Sequence, residues 1–195
     1  MTTSYENFLL NKHDDYYSII RKDYYEEVEK IPNSINGLPV LDLEDESFAE
    51  VEELLRVNLN EGLLRIGKDA FYNSYNLSEV NLPTTLLQIG EGAFCNTAIL
   101  GVSIPKGVEI IPEDCFGGCT ELIQVDIEEG LKCVFKNAFR DCGSLRTICF
   151  PKTTKIVDLD AFNGCDKINK IIIPNACKLL NADNNLGILT KIIRY

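Results

Sequence analysis

Phenylalanine recurs along the chain at Phe48, Phe71, Phe94, Phe116, Phe139 and Phe162, in steps of 23, 23, 22, 23 and 23 residues. Spacing this regular marks a solenoid, in which each repeat is one structural unit stacked on the next. A small residue precedes each Phe (Ser47, Ala70, Ala93, Cys115, Ala138, Ala161), and an aliphatic one stands five positions before it (Leu43, Ile66, Ile89, Ile111, Val134, Val157). Val57, Val80, Val125, Ile148 and Ile171 lie nine residues after a Phe, each three residues beyond Leu54, Leu77, Leu122, Leu145 or Ile168. Val102 comes only eight after Phe94, so one residue is missing between Phe94 and Ile99. That stretch should be a connecting turn, where a deletion costs little.

After Leu77 the apolar positions Val80 and Leu82 alternate with Glu79 and Asn81, the period of a short strand with one buried face. Proline closes this segment at Pro83, Pro105, Pro151 and Pro174, where it ends a strand without removing a hydrogen bond from its middle. The adjacent Ala-Phe pairs cannot both face a core from a strand, so each is expected in a short helical turn. The pattern predicts a repeat solenoid of parallel β-strands with short helical turns, about seven coils of 23 residues, over residues 31–195. Continuing the period places Asn185 where the next Phe would stand, with Leu180, Leu189 and Ile192 in their columns, so the last coil is degenerate as terminal repeats usually are. Residues 1–30 are expected to cap the solenoid as a β-hairpin, with Phe8, Leu9 and Leu10 before a polar tip at 11–15 and Tyr16 to Ile20 after it. An amphipathic helix over residues 4–25 is the competing reading, because Tyr16, Tyr17, Ile19 and Ile20 also suit a helix face.

The repeated string Leu-x-x-Val-x-Ile-Pro-x-x-Val-x-x-Ile-x-x-x-Ala-Phe-x-x-Cys, clearest from Leu77 to Phe94 and from Ile99 to Cys119, resembles the BspA-like class of leucine-rich repeats. Asn36-Gly37-Leu38-Pro39-Val40 is similar to that family's opening repeat, and the resemblance runs over roughly residues 28–193. Glu128 in place of Pro, Thr154 in place of an inner aliphatic residue and Asn185 in place of Phe depart from the pattern without breaking it. The resemblance implies a right-handed solenoid with a binding role, often adhesion at bacterial or protozoan cell surfaces, and does not imply one ligand.

Charge narrows the partners. Of 30 acidic and 19 basic residues, the first 62 positions hold 15 Asp plus Glu against 5 Lys plus Arg, so nearly all of the net charge of −11 sits at the front. This balance, with basic residues scattered at one or two per coil, argues against nucleic acid as a partner. The acidic cluster Glu44, Asp45, Glu46, Glu50, Glu52 and Glu53 reads first as a solvating face and second as an attraction for a basic partner. The longest uncharged stretch, residues 92–105, is too short to cross a bilayer, and no basic residue precedes Lys12, so neither membrane insertion nor a secretory leader is expected. An intracellular location is favoured on that ground, against the family's habit.

Catalytic chemistry finds little support. The single histidine, His13, lies in the polar tip of the hairpin, which excludes any mechanism needing two imidazoles. Cys119, Cys142 and Cys165 each follow their Phe by three residues, with Ser74 and Thr97 filling the same column elsewhere. They read as a buried thiol column, ahead of a disulfide or a metal site. Gly90-Glu-Gly92 is repeat grammar, since the same frame elsewhere carries Gly67 or Pro112. The carboxylate pairs Asp158 with Asp160, Glu128 with Glu129 and Glu113 with Asp114 read as solvated surface. No catalytic residue, metal site or cofactor is expected.

What the strands do offer is a face. If Val57, Val80, Val102, Val125, Ile148 and Ile171 point inward, their neighbours line an open parallel sheet. The expected binding surface is then Arg56, Asn58, Glu79, Asn81, Ser103, Gln124, Asp126, Thr147, Lys170 and Ile172. A non-enzymatic protein-protein interaction module is the expected function, with an unidentified protein as partner. A structural or adhesin module of a self-assembling surface protein is the alternative, and an enzyme with a site in the convex loops is the third reading. The outward position turns apolar toward the end, at Cys149, Ile172 and Ile193, which suggests burial of Ile172, Ile193 and the C-terminal edge strand against a second copy, as a homodimer with Arg194 limiting open-ended stacking, or against a next domain if the chain is a fragment. Tyr195 folded back over Ile193 would instead leave a monomer.

Overall fold

The computed structural model describes residues 2–6, 8–22, 25–182 and 190–195 of the chain. Each coil of the solenoid has three sides: a front strand, a turn closed by a back strand, six residues long in the first coil and two to three in the others, and the turn that carries the phenylalanine. The front strands are Val28–Lys30, Arg56–Asn58, Glu79–Asn81, Gly101–Ile104, Gln124–Ile127, Thr147–Cys149, Lys170–Ile173 and Lys191–Arg194. On this side Val57, Val80, Val102, Val125, Ile148 and Ile171 are all buried, so the strand period assigned their inward phase correctly. The back side stacks Leu38–Leu43, Arg65–Ile66, Gln88–Ile89, Ile110–Ile111, Cys133–Val134, Ile156–Asp158 and Lys178–Leu180, with the aliphatic column from Leu43 to Val157 turned inward.

The shortened coil leaves a trace in both sheets. Registered pairing stops between Glu79–Asn81 and Gly101–Ile104 and again between Gln124–Ile127 and Thr147–Cys149 on the front, and between Gln88–Ile89 and Ile110–Ile111 on the back. The first front step and the back step span the missing residue after Phe94; the second front step does not. The phenylalanine stack runs through without interruption, with the Phe94 and Phe116 rings 5.4 Å apart and 3° from parallel. The core keeps its column and the sheets absorb the slip.

The phenylalanine turns are built from left-handed residues. One is the short 3-10 segment Leu159–Phe162, the only helical element among the described residues. In the others the residue two before the Phe (Glu46, Asp69, Gly92, Asp114, Asn137) and the residue two after it (Glu50, Asn73, Asn96, Gly118, Asp141) have positive φ. Asp, Asn and Gly tolerate that region best, which explains most of these positions. The alternation aims alternate N–H groups at the next coil instead of back along the same one. Phe48, Phe71, Phe94, Phe116 and Phe139 accordingly donate their backbone N–H to the carbonyls of Ala70, Ala93, Cys115, Ala138 and Ala161, at 2.7 to 2.9 Å. The rings stack along the same axis at 5.2 to 5.8 Å.

At the first coil this stack needs a lid, and Tyr25 provides it. Its ring tilts over Phe48 at 5.5 Å, and its hydroxyl donates to the Ser47 carbonyl at 3.0 Å, the position equivalent to Ala70 O one coil later. Below it the hairpin is present: Phe8–Lys12 pairs antiparallel with Tyr17–Lys22, and Thr2–Tyr5 adds a further strand. The helix reading of residues 4–25 is therefore set aside. Tyr17–Lys22 runs parallel to Leu38–Leu43, which joins the cap to the back sheet. At the other end Lys191–Arg194 pairs with Lys170–Ile173, placing Ile192 beside Ile171 as the period requires. Asn185 and Leu189 lie outside the described residues.

The thiol column has a structural task. Cys119, Cys142 and Cys165 donate to the carbonyls of Phe94, Phe116 and Phe139 at 3.0 to 3.2 Å, as the Ser74 hydroxyl does to Phe48 O at 2.8 Å. These carbonyls are buried and a small donor satisfies them. All eight cysteines are free thiols, and burial pushes the Cys119 thiol up to about 11.

Candidate functional site

The parallel register sets the outward residues of the front sheet into two columns. Arg56 lies beside Glu79, Gly101 beside Gln124, and Thr147 beside Lys170. Asn58 lies beside Asn81, Ser103 beside Asp126, and Cys149 beside Ile172, which in turn meets Ile193. Within each of the three front ladders the expected surface residues therefore lie side by side on the outward face. Within it Arg56 Nε and Glu79 Oε2 form an ion pair at 2.6 Å, and that guanidinium holds Glu79 below the usual carboxylate range. The Gln124 amide donates to Asp126 Oδ2 at 2.7 Å.

Relief on this face comes from small residues. Gly101 brings no side chain, so a hollow of about 230 Å³ opens among Asn81, Ser103, Gln124 and Asp126. A second hollow, of about 420 Å³, adjoins it among Ser103, Asp126, Cys149, Pro151 and Tyr195. Ser103 and Asp126 line both. Arg56, Asn58, Glu79, Thr147, Lys170 and Ile172 stand on the face outside the two hollows. Tyr195 was not among the expected surface residues. Its hydroxyl donates to Phe150 O at 2.7 Å, reaching two coils back toward the hollow, whereas the competing sequence reading had it folding over Ile193. Arg194 is anchored in turn. Its Nη1 donates to the carbonyls of Pro174, Asn175 and Cys177, so the guanidinium is tied into the adjacent turn while the residue stays exposed on the last strand.

Groups with catalytic potential occur in the cap and are arranged for structure. His13 stacks on Tyr16 at 4.1 Å, and its Nε2 lies 3.0 Å from Ser18 Oγ. The Ser18 hydroxyl donates to Glu44 Oε1, which also accepts from Asn11 Nδ2 at 2.6 Å. With that proton committed to Glu44, His13 is the donor to Ser18. The direction is opposite to the one that activates a serine nucleophile, where the imidazole takes the hydroxyl proton. Ser18 is moreover only 1% exposed, so the set fastens the hairpin to the first coil. Asp158, expected to be solvated, is buried: it accepts from Asp160 N at 3.0 Å and Asn181 Nδ2 at 2.8 Å, capping the 3-10 segment. Among the described residues no group of His, Cys, Asp and Glu side chains is placed to hold a metal ion, and no helix is long and apolar enough to cross a membrane.

This geometry has relatives. The BspA type leucine rich repeat region matches in six copies over residues 18–102 and 87–184. A leucine rich repeat protein of T. pallidum is similar in structure, with a TM-score of 0.82 and 27% identity, over 88% of this chain and 81% of that one. A leucine-rich repeat protein from Bacteroides ovatus shares the fold at a TM-score of 0.69 and 18% identity, over 98% of this chain and 67% of that one. A leucine rich cell surface protein from Faecalibacterium prausnitzii does so at 0.60 and 16%, over 100% and 76%. No curated protein matches the chain. The repeat, its phenylalanine stack and the span of the match together establish that this chain belongs to the BspA-type leucine-rich repeat family.

Proposed function

We propose that the chain is a non-enzymatic protein-binding module that receives its partner on the front sheet. The observation that carries this reading is the pair of adjoining hollows sharing Ser103 and Asp126, set in an otherwise regular polar surface. Interfaces are strongest where a partner's side chains fill such depressions and exclude water, with the surrounding polar rim adding complementarity. Asn81, Gln124 and Asp126 offer amide donors and carbonyl or carboxylate acceptors at the rim of the first hollow. A variant with Asn81→Ala, Ser103→Arg, Gln124→Ala and Asp126→Ala fills the shared floor and strips the rim. Exposed substitutions of this kind typically move stability by about 0.5 kcal/mol or less each. In pull-downs from an extract of the source cells, the variant should lose at least tenfold of whatever protein the native chain retains. Equal retention by both would remove the front sheet as the binding face.

A second reading, a self-assembling surface module, is favoured by the last strand. Ile192 and Ile193 are 38% and 39% exposed, although Ile171 beside Ile192 is fully buried. Apolar exposure at an edge strand is a template for another chain. The relative from Faecalibacterium prausnitzii is named a cell surface protein, which suits this setting. Sedimentation should then show a concentration-dependent dimer that Ile172→Lys with Ile193→Lys abolishes, and a wild type that stays monomeric would remove this reading.

A further inference from the structure

The back sheet carries an apolar groove that the repeat pattern does not require. Phe135 stands in the column of Glu44, Gly67, Gly90, Pro112, Asp158 and, in the last coil, Leu180, immediately after the inward aliphatic residue of each coil. Unlike the six stacked phenylalanines, it is 44% exposed. Leu87 and Ile110, 53% and 43% exposed, lie on the same groove, which Pro112 also lines and whose volume is about 650 Å³. Gly90 keeps a stretch of the groove free of side chains and cannot be replaced cheaply. A Cβ there would fall 2.4 Å from Lys68 N and 2.5 Å from the Gly67 carbonyl carbon. Three large apolar side chains are thus held open to solvent around a depression of the size that binding sites commonly have.

The charges around the groove state what kind of partner fits. Arg65 on its rim is taken up by two carboxylates, Asp42 at 3.0 Å and Asp45 at 2.6 Å. Glu109 pairs with Lys132, and Glu91 lies 3.5 Å from Lys68. Of the charged side chains that line the groove itself, the carboxylates Glu91 and Glu109 thus outnumber the one cation, Arg65, whose charge is already matched by Asp42 and Asp45. The flank toward the cap adds Glu44 and Glu46. An acidic peptide would meet repulsion here and a basic one attraction.

We propose that the groove of Leu87, Ile110, Pro112 and Phe135 is a second binding site, for an extended peptide segment with an aromatic or branched apolar anchor flanked by lysine or arginine. The anchor lies against Phe135 and Ile110, and the flanking cations face the carboxylates of the rim. This site is on the sheet opposite the front hollows and does not depend on them.

The probe is a fluorescein-labelled hexapeptide with phenylalanine and leucine at its centre and two lysines on each side, titrated against the full chain by fluorescence anisotropy at low salt. Two control peptides carry a serine pair at the centre or glutamates on the flanks. Saturable binding of the first peptide is expected, at least tenfold weaker for each control. Ile110→Ser with Phe135→Ser should also weaken it at least tenfold, while Ser103→Arg on the front sheet leaves it unchanged. Leu87→Ser is the second variant, with thermal melting of each protein to establish that the fold is retained. Absence of binding by the wild type, equal binding by the double variant, or equal binding of the glutamate-flanked peptide would overturn the proposal. So would a dimer in sedimentation that the double variant abolishes while the wild type ignores the peptide, since the occupant would then be a second copy of the chain.

Discussion

Phe116→Ala should lower the stability of the chain by about 3 to 5 kcal/mol, the usual cost of emptying a buried phenylalanine site. Phe116 is fully buried in the middle of the stack, with Phe94 at 5.4 Å and Phe139 at 5.6 Å. Its neighbours cannot close the gap easily. Their backbones are held by the turn ladder, in which Phe116 N donates to Ala138 O at 2.8 Å while Phe94 N donates to Cys115 O at 2.9 Å. A site that cannot collapse retains its cavity and lies toward the upper end of the range. Ser103→Ala, on the outward column, should change stability by about 0.5 kcal/mol or less. Chemical denaturation of the two variants against the wild type measures both, and equal shifts would contradict the assigned phase of the repeat.

Hydropathy spacing reveals this part of the molecule because a solenoid places every repeat of one column in the same environment. Six phenylalanines at nearly constant spacing fix the coil length, and the column from Val57 to Ile171 then fixes which strand face is inward. The outward residues follow by alternation, so the ten-residue surface was legible before any geometry. Its relief was not. The hollows depend on Gly101 having no side chain and on Tyr195 reaching two coils back to Phe150 O, and neither follows from a period of two.

The turns were harder for a different reason. An Ala-Phe pair with flanking polar residues suits a helical turn and a left-handed turn equally in hydropathy. The distinguishing signal is the Asp, Asn or Gly placed two residues to either side of the phenylalanine, as in Asp69 and Asn73 or Gly92 and Asn96. The first coil hides even that, because Glu46 and Glu50 take the same positive φ. Tyr25 stands 23 residues before Phe48, so the period carried back one coil already places an aromatic ring in the phenylalanine column, which the sequence reading began only at Phe48. The Ser18-Glu44 contact joins residues 26 apart that no periodicity relates. The lid on the stack was therefore there to be read, whereas the fastening of the hairpin to the first coil was not.

Glycine positions give the other large effect, and they permit backbone strain to be separated from collision. Gly62 and Gly130 occupy one column, and each donates its N–H to a threonine hydroxyl of the next coil, Thr85 or Thr153, at 2.9 Å. Both have positive φ, +115° and +144°, where a side chain is strained by about 1 to 3 kcal/mol. Their surroundings differ. A Cβ on Gly62 would meet nothing closer than Asn60 Nδ2 at 3.7 Å, whereas one on Gly130 would fall 2.0 Å from the Lys106 carbonyl oxygen and 2.9 Å from its carbon. Relief at Gly130 requires two coils to part, against the backbone bonds from Lys132 and Cys133 to Glu109 O at 2.7 and 3.2 Å. Overpacking adds about 1 to 3 kcal/mol, so Gly130→Ala should cost about 2 to 6 kcal/mol in total, and Gly62→Ala only the strain. Urea denaturation of both variants provides the comparison, with the m-value checked for a change in the cooperative unit. A loss at Gly130 no larger than at Gly62 would mean that the coils do not press together there and that the approach to Lys106 is not a constraint of the fold.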